Sequence, residues 1–124
     1  MNQKHVTSLE IAKQLAEAGI VIESEYWWVE DNPEDWTLVP KGWTNIEMSR
    51  PKKYPAPIAT ELLERLPAMV NGLKFQINRL PKGEYWASYD TFSDEVIDCY
   101  LETNQSLPDA LALLLIRLTK DGLI

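Results

Sequence analysis

Two residue types on which many functional sites depend are almost missing: the 124 residues include one cysteine, Cys99, and one histidine, His5. A lone cysteine cannot close an internal disulfide, which suits a reducing cytoplasm. One histidine and one distant cysteine also cannot build a zinc site unless carboxylates join them. We therefore expect no metal and no cofactor. We interpret Cys99 as an inert core residue of a strand and expect no catalytic role for His5.

Long apolar runs and an excess of basic charge are also lacking. The longest apolar run, Ala110 to Ile116, is far short of the roughly 20 residues that cross a bilayer. The N-terminus lacks the apolar core of a signal peptide, so we expect a cytoplasmic location. The length predicts a single domain over residues 1–124. The 12 Lys and Arg against 19 Asp and Glu give a net charge of −7. Such a balance disfavours a nucleic-acid partner, because that binding depends on basic side chains releasing counterions.

What the sequence does contain is a long apolar helix near its end, from Ser106 to Asp121. Ser106 is a good N-cap, and Asp109 is spaced to reach back to the Ser106 amide as in a capping box. The helix body is apolar on nearly every face, which is typical of a buried helix. Gly122 then supplies the left-handed position that ends many helices. We predict that this helix is the most buried element.

Two further helices are predicted from capping and periodicity. Thr7 as N-cap with Glu10 as its reciprocal partner opens the first helix, and Gly19 ends it. The second helix runs from Ile58 to Leu66, where Pro67 stops it.

Short β-branched, aromatic or alternating stretches predict the strands. They are Ile20 to Ile22, Glu25 to Glu30, Trp36 to Val39, a weaker one over residues 43–48, and a hairpin of Leu73 to Asn78 with residues 84–89. Residues 49–57 resemble an extended connection. Glu95 to Glu102 fits either a short helix or a strand, and the strand period is favoured. The fold class predicted is α+β, an antiparallel sheet of hairpins and meanders packed with three helices.

Four segments carry a resemblance to a known group of proteins. They are Ser8 to Leu15, the triplet Tyr26-Trp27-Trp28, residues 55–57 with Glu61 to Pro67, and Ser106 to Ile116. With these segments the chain resembles a family of small uncharacterised proteins encoded in bacteriophages and prophages. The resemblance implies a phage or bacterial source and a cytoplasmic location, but no activity or functional residue.

Acidic residues give one functional hypothesis. Six carboxylates surround the first predicted hairpin: Glu23, Glu25, Glu30, Asp31, Glu34 and Asp35. Paired carboxylates do acid–base work or hold a divalent cation, so a small hydrolase or metal-dependent enzyme is the alternative reading. Their spacing matches no calcium loop, and a solvated acidic rim is the favoured explanation of them.

The aromatic residues give the other hypothesis. Adjacent strand residues point to opposite faces, so Trp27 and Trp28 cannot enter the same core, and Trp86 alternates with the Tyr85 face. Either the sheet is covered on both faces and every ring lies in a core, or some rings are exposed at an interface. We predict that Trp27, Trp28 and Trp86 include part of an interaction surface. The chain is then a non-enzymatic module that binds a protein partner or a second copy.

Overall fold

The structure, a computed structural model, describes residues 5–32, 35–40, 53–90 and 100–124. Its helices are α1 (Leu9–Glu17), α2 (Ala59–Leu63) and α3 (Leu107–Lys120). Its strands are β1 (Tyr26–Asn32), β2 (Asp35–Pro40), β3 (Lys53–Pro55), β4 (Met69–Val70), β5 (Leu73–Arg79), β6 (Tyr85–Asp90) and β7 (Tyr100–Asn104). The predicted α+β class is confirmed, with two antiparallel sheets in place of one.

Helix α1 begins one residue later than its sequence pattern indicates. The N-cap is Ser8, whose hydroxyl accepts a hydrogen bond from the Ile11 amide at 3.4 Å, so the prediction of Thr7 is wrong. The Ser8 amide donates to a carboxylate oxygen of Asp109 at 2.8 Å, a contact with a residue 101 positions away. The end of the helix is confirmed, since Gly19 has a φ of +77° and follows the last turn.

The three-stranded sheet has the strand order β2-β1-β3. The predicted first hairpin is confirmed, with β1 and β2 as its arms and Trp28 opposite Leu38. Strand β3 lies inside the stretch interpreted as an extended connection, where Tyr54 pairs with Trp28 on the other side of β1. The weak strand predicted over residues 43–48 lies outside the described residues.

The predicted strand Ile20 to Ile22 is wrong. The segment has alternating burial, with Ile20 and Ile22 in the core and Val21 75% exposed, but it pairs with no strand among the described residues. Its backbone is instead bonded by a side chain, since Arg65 donates to the Val21 carbonyl at 2.6 Å. The alternation therefore reflects a single extended chain at the edge of the core.

Helix α2 is shorter than the predicted Ile58 to Leu66. Its side-chain cap comes from Glu61, which accepts hydrogen bonds from the Ile58 amide and the Ser24 hydroxyl, both at 2.9 Å. After Leu63 the backbone tightens, because the Leu66 amide bonds to the carbonyl three residues back instead of four. The α-helix thus ends before Pro67.

The four-stranded sheet has the order β4-β5-β6-β7. The predicted second hairpin is confirmed, with Phe75 opposite Tyr89 and Gly83 at a φ of +89° in its turn. The Tyr89 hydroxyl donates to the Pro67 carbonyl at 2.5 Å, and burial raises the pKa of Tyr89 to about 12. The short β4 was not predicted.

The ambiguous stretch from Glu95 to Glu102 is settled only at its end. Residues from Tyr100 onward form β7, paired with β6, so the strand interpretation is confirmed there. Residues 95–99, including Cys99, lie outside the described residues.

Helix α3 is the buried helix that the sequence predicts. Ser106 is its N-cap, and the Leu123 amide returns to the Leu118 carbonyl at 2.9 Å past Gly122. Its buried residues are Pro108 to Ala112, Leu114 to Ile116 and Leu118. The predicted capping box is wrong, however, because the Asp109 carboxylate bonds to Ser8 and the Ser106 amide donates to the Asn104 side chain at 2.9 Å.

Two hydrophobic clusters share helix α1. The main cluster joins Ile11, Leu15, Ile20, Ile22, Leu62, Leu66, Val70, Leu73, Ala87 and Tyr89 to the buried residues of α3. The aromatic cluster joins Val6, Ala12, Trp28 and Ala56 to half-buried Leu9, Tyr26, Trp36, Leu38, Tyr54 and Ile58. In the described part of the chain, no helix has the length and apolar character needed to cross a membrane.

Candidate functional site

Trp27 and Trp28 lie on opposite faces of β1, as the strand period predicts. Trp28 is 7% exposed and belongs to the aromatic cluster. Its indole N–H donates to the Thr7 carbonyl at 2.9 Å, which satisfies the one polar atom of the ring. Trp28 therefore stabilises the fold and is removed from the candidate interaction surface.

Trp27 is half-buried on the other face of the same sheet. The Lys53 ammonium lies 5.3 Å from the centre of its ring, within the range of a cation–π contact. Its indole nitrogen is buried and has no hydrogen-bond partner among the residues that the structure describes. The lysine covers the ring, so Trp27 offers less free surface than its position suggests.

Trp86 is the exposed member of the three, with 36% of its surface accessible. On its side of the four-stranded sheet, which we name the outer face, its cross-strand partners are Asn78 and Thr103. The alternating residues of β6, Ala87 and Tyr89, are fully buried with α3 in the main cluster. Trp86 therefore lies on the face of the sheet opposite α3.

The other side of the same sheet end holds a cleft of about 570 Å³. The cleft lies where α2 and α3 begin and where β6 begins and β7 ends. Its lining residues are His5, Ala59, Tyr85, Asn104, Gln105, Ser106, Leu107 and Pro108. This volume falls within the range of ligand-binding clefts, about 300–1,000 Å³.

Part of the polar lining is already used within the protein. The Asn104 side-chain oxygen accepts from the Ser106 amide at 2.9 Å, and the Ser106 hydroxyl accepts from the Asp109 amide at 3.5 Å. The Tyr85 hydroxyl, the Gln105 amide and the His5 ring have no hydrogen-bond partner within the described ranges. The cleft therefore keeps both donors and acceptors for a ligand.

Serine, histidine and aspartate near one cleft raise the question of a catalytic triad. The Asp109 carboxylate, however, bonds to the backbone amide of Ser8 at 2.8 Å and serves as a helix cap. Burial raises the pKa of Asp109, and the hydrogen bonds from Ser8 lower it in part. Within the described residues, no hydrogen bond joins His5 to Ser106 or Asp109, so the nucleophile–base–carboxylate chain of such a triad is not formed.

The carboxylates of the first hairpin do not form a site in the part of the chain that is described. Glu23, Glu25 and Asp35 are exposed, while the side chains of Asp31 and Glu34 lie outside the described residues. Among the residues with described positions, no three His, Cys, Asp or Glu side chains lie close enough to hold a metal ion. The enzyme alternative gains no support from this geometry.

No family model, curated protein or solved structure matches this chain. The resemblance to phage-encoded proteins therefore stays a prediction. By their geometry and chemistry, the candidate sites are the outer face around Trp86 and the cleft on the opposite side of the same sheet end.

Sequence reasoning reaches the first of these sites and misses the second. Strand alternation is a local signal, and it singles out Trp86 directly. The cleft is assembled from widely separated segments that contain His5, Ala59, Tyr85 and residues 104–108. In the sequence, Ser106 has the pattern of a cap and Tyr85 that of a strand residue, and no spacing links them.

Proposed function

We propose that this chain is a non-enzymatic protein-interaction module that uses the outer face around Trp86 to bind a protein partner or a second copy of itself. The observation that carries the proposal is the exposed indole of Trp86, on the side of the sheet that faces away from α3. Large aromatic side chains dominate interface energetics, because they bury much area at a small entropic cost.

The surroundings of Trp86 suit a protein contact. Its neighbours across the strands, Asn78 and Thr103, are exposed, polar and uncharged. Interface cores are typically depleted in charge and surrounded by a polar rim. The net charge of −7 disfavours nucleic acid as the partner.

The sequence resemblance supplies the biological setting of the proposal. A phage or prophage accessory protein acts in the cytoplasm of its bacterial host, where host and phage proteins are the available partners. The absence of a formed triad or metal group in the described residues favours binding over catalysis.

The test compares Trp86→Ser with a matched exposed substitution, Val21→Ser. Val21 is 75% exposed and lies in the segment between α1 and β1, so it controls for the loss of exposed apolar surface. Each variant is measured for its unfolding midpoint, its mass in solution and its cross-linked partners in host cells. We expect Trp86→Ser to fold normally and to lose a partner or self-association that wild type and Val21→Ser retain. Unfolding of Trp86→Ser, or identical assembly in all three proteins, contradicts the proposal.

A further inference from the structure

We propose that the cleft beside the start of α3 binds an extended, uncharged peptide segment of the partner. This inference rests on the proposed interaction function and adds the chemistry of what is bound. The cleft holds about 570 Å³ and is separate from the outer face, because Tyr85 lines it while its neighbour Trp86 points to the other side of β6.

The absence of fixed charge in the lining argues for an uncharged ligand. None of the lining residues is a carboxylate, lysine or arginine. The guanidinium of Arg79, on the neighbouring strand, lies 5.8 Å from the centre of the Tyr85 ring, so it is already engaged with that aromatic face. An ionised group that enters the cleft would lose hydration without meeting a charged side chain in the lining itself, which is costly.

The remaining polar groups match the chemistry of a peptide backbone. The Gln105 side chain carries both an amide donor and a carbonyl acceptor, as does each peptide unit of a ligand. The amino group of Asn104 is left to donate, because its oxygen is held by the Ser106 amide. The Tyr85 hydroxyl can donate or accept.

Apolar walls complete the argument for a peptide. Ala59 lies at the first turn of α2, and Leu107 and Pro108 lie at the first turn of α3. Between them they offer contact surface for small or aliphatic side chains. A site with apolar walls and a few convergent polar groups is typical of specific ligand recognition.

The position of the cleft links it to the proposed partner. Tyr85 and Trp86 are consecutive residues on opposite faces of β6, and their cross-strand partners, Asn104 and Thr103, are consecutive in β7. A single partner that binds at this end of the sheet would therefore contact both of its faces. Its folded surface would cover Trp86, and an extended segment would enter the cleft.

The experiment pans a displayed library of random peptides against the full chain, and the enriched peptides are synthesised and titrated calorimetrically. Gln105→Ala and His5→Ala remove exposed lining groups that make no described contact within the protein, so both variants should fold. Val21→Ser is the control. We expect enriched peptides to be uncharged and to bind each cleft variant roughly three- to tenfold more weakly, the effect of one lost hydrogen bond.

Three results would overturn the inference: no enrichment of peptides, enrichment of charged peptides, or equal affinity for wild type and both cleft variants. Trp86→Ser separates this inference from the proposed function, since it should leave peptide affinity unchanged while it reduces partner capture. If Trp86→Ser loses partner capture but no peptide is enriched on the wild-type chain, the cleft inference alone is rejected. Partner capture that survives Trp86→Ser would reject the outer-face function alone.

Discussion

The main cluster and the aromatic cluster are held together in different ways, although α1 contributes to both. In the main cluster, Leu111, Leu114 and Leu118 are fully buried and make no polar contacts with their side chains. In the aromatic cluster, Trp28 is fixed by a hydrogen bond to Thr7, and the rings of Trp36 and Tyr54 lie 5.5 Å apart. The leucines of the main cluster contribute through buried area, which has no direction, whereas Trp28 contributes through an oriented hydrogen bond. The main cluster also contains an oriented contact at its sheet side, from the Tyr89 hydroxyl to the Pro67 carbonyl.

This difference bears on where function is located. The main cluster fixes the inner side of the four-stranded sheet, so Trp86 is presented by a rigid support. A binding residue is held most precisely when the element that carries it is well packed. The aromatic cluster, by contrast, uses Trp28 for its own stability.

The largest expected effect is in the main cluster. Leu111→Ala and Leu115→Ala should each lower the free energy of unfolding by about 2–5 kcal/mol, because they leave cavities beneath a helix that is packed on both sheet and helices. Both side chains are at most 2% exposed. Leu113→Ala, half-buried on the same helix, is the control and should cost less. Chemical denaturation measures all three, and equal losses would show that α3 is not the centre of the core.

The aromatic cluster should respond to a smaller chemical change. Trp28→Phe keeps a ring but removes the N–H that donates to the buried Thr7 carbonyl. We expect a loss of roughly 1–3 kcal/mol in the free energy of unfolding, the cost of a buried group left without its partner. Trp36→Phe is the matched control in the same cluster. If the two substitutions cost the same, ring area rather than the oriented hydrogen bond holds this cluster.

Much of the fold is predictable because its signals are local. Strand alternation from Leu73 to Tyr89 and the cap at Ser106 involve residues a few positions apart. The start of α1 is not predictable in this way, because the Ser8 amide donates to the carboxylate of Asp109, which is distant in the sequence. The same holds for the extended segment from Ile20 to Ile22. Its alternation resembles that of a strand, but whether it pairs with a strand depends on residues that are distant in the sequence.

The candidate sites also differ in how far a local sequence pattern predicts them. Period-two alternation predicts that Trp27 and Trp28 face opposite ways, and the structure confirms it. Which of the two rings is buried depends on the face of β1 against which α1 packs, and this packing is set by the tertiary structure. The cleft needs the starts of α2 and α3 beside Tyr85, which no sequence spacing indicates.

Asp109, on α3, accepts a hydrogen bond from the amide of Ser8 at the start of α1, and its charge makes the stability of the fold depend on pH. Burial raises its pKa above 3.8, so its ionised form is disfavoured in the folded state. The contribution of this group to stability is therefore fullest below pH 3.8 and is lost as the pH rises through the folded-state pKa. Asp109→Asn keeps an oxygen acceptor for the Ser8 amide but cannot ionise. We expect the free energy of unfolding of Asp109→Asn to rise relative to that of wild type as the pH rises through the folded-state pKa of Asp109.

The pH series includes Asp109→Ala as its control. That variant removes the acceptor and leaves the Ser8 amide unpaired, which should cost roughly 1–3 kcal/mol. Denaturation curves from pH 3 to pH 7 measure both variants. If wild type gains on Asp109→Asn as the pH rises, the hydrogen bond and the helix dipole outweigh desolvation, and the assigned cause of the pKa shift is wrong.

The smallest expected effect concerns the lysine above Trp27, on the face of β1 that the aromatic cluster does not use. The Lys53 ammonium lies 5.3 Å from the ring centre and is exposed, so Lys53→Ala should lower the free energy of unfolding by about 0.5–1 kcal/mol. Lys53→Arg retains a cation that can stack on the indole and should retain most of the stability. Lys82→Ala, at an exposed position in the turn before β6, removes the same charge without a described ring contact. If Lys53→Ala and Lys82→Ala have equal effects, the contact contributes only through net charge, and Trp27 is then free to serve as a second binding residue.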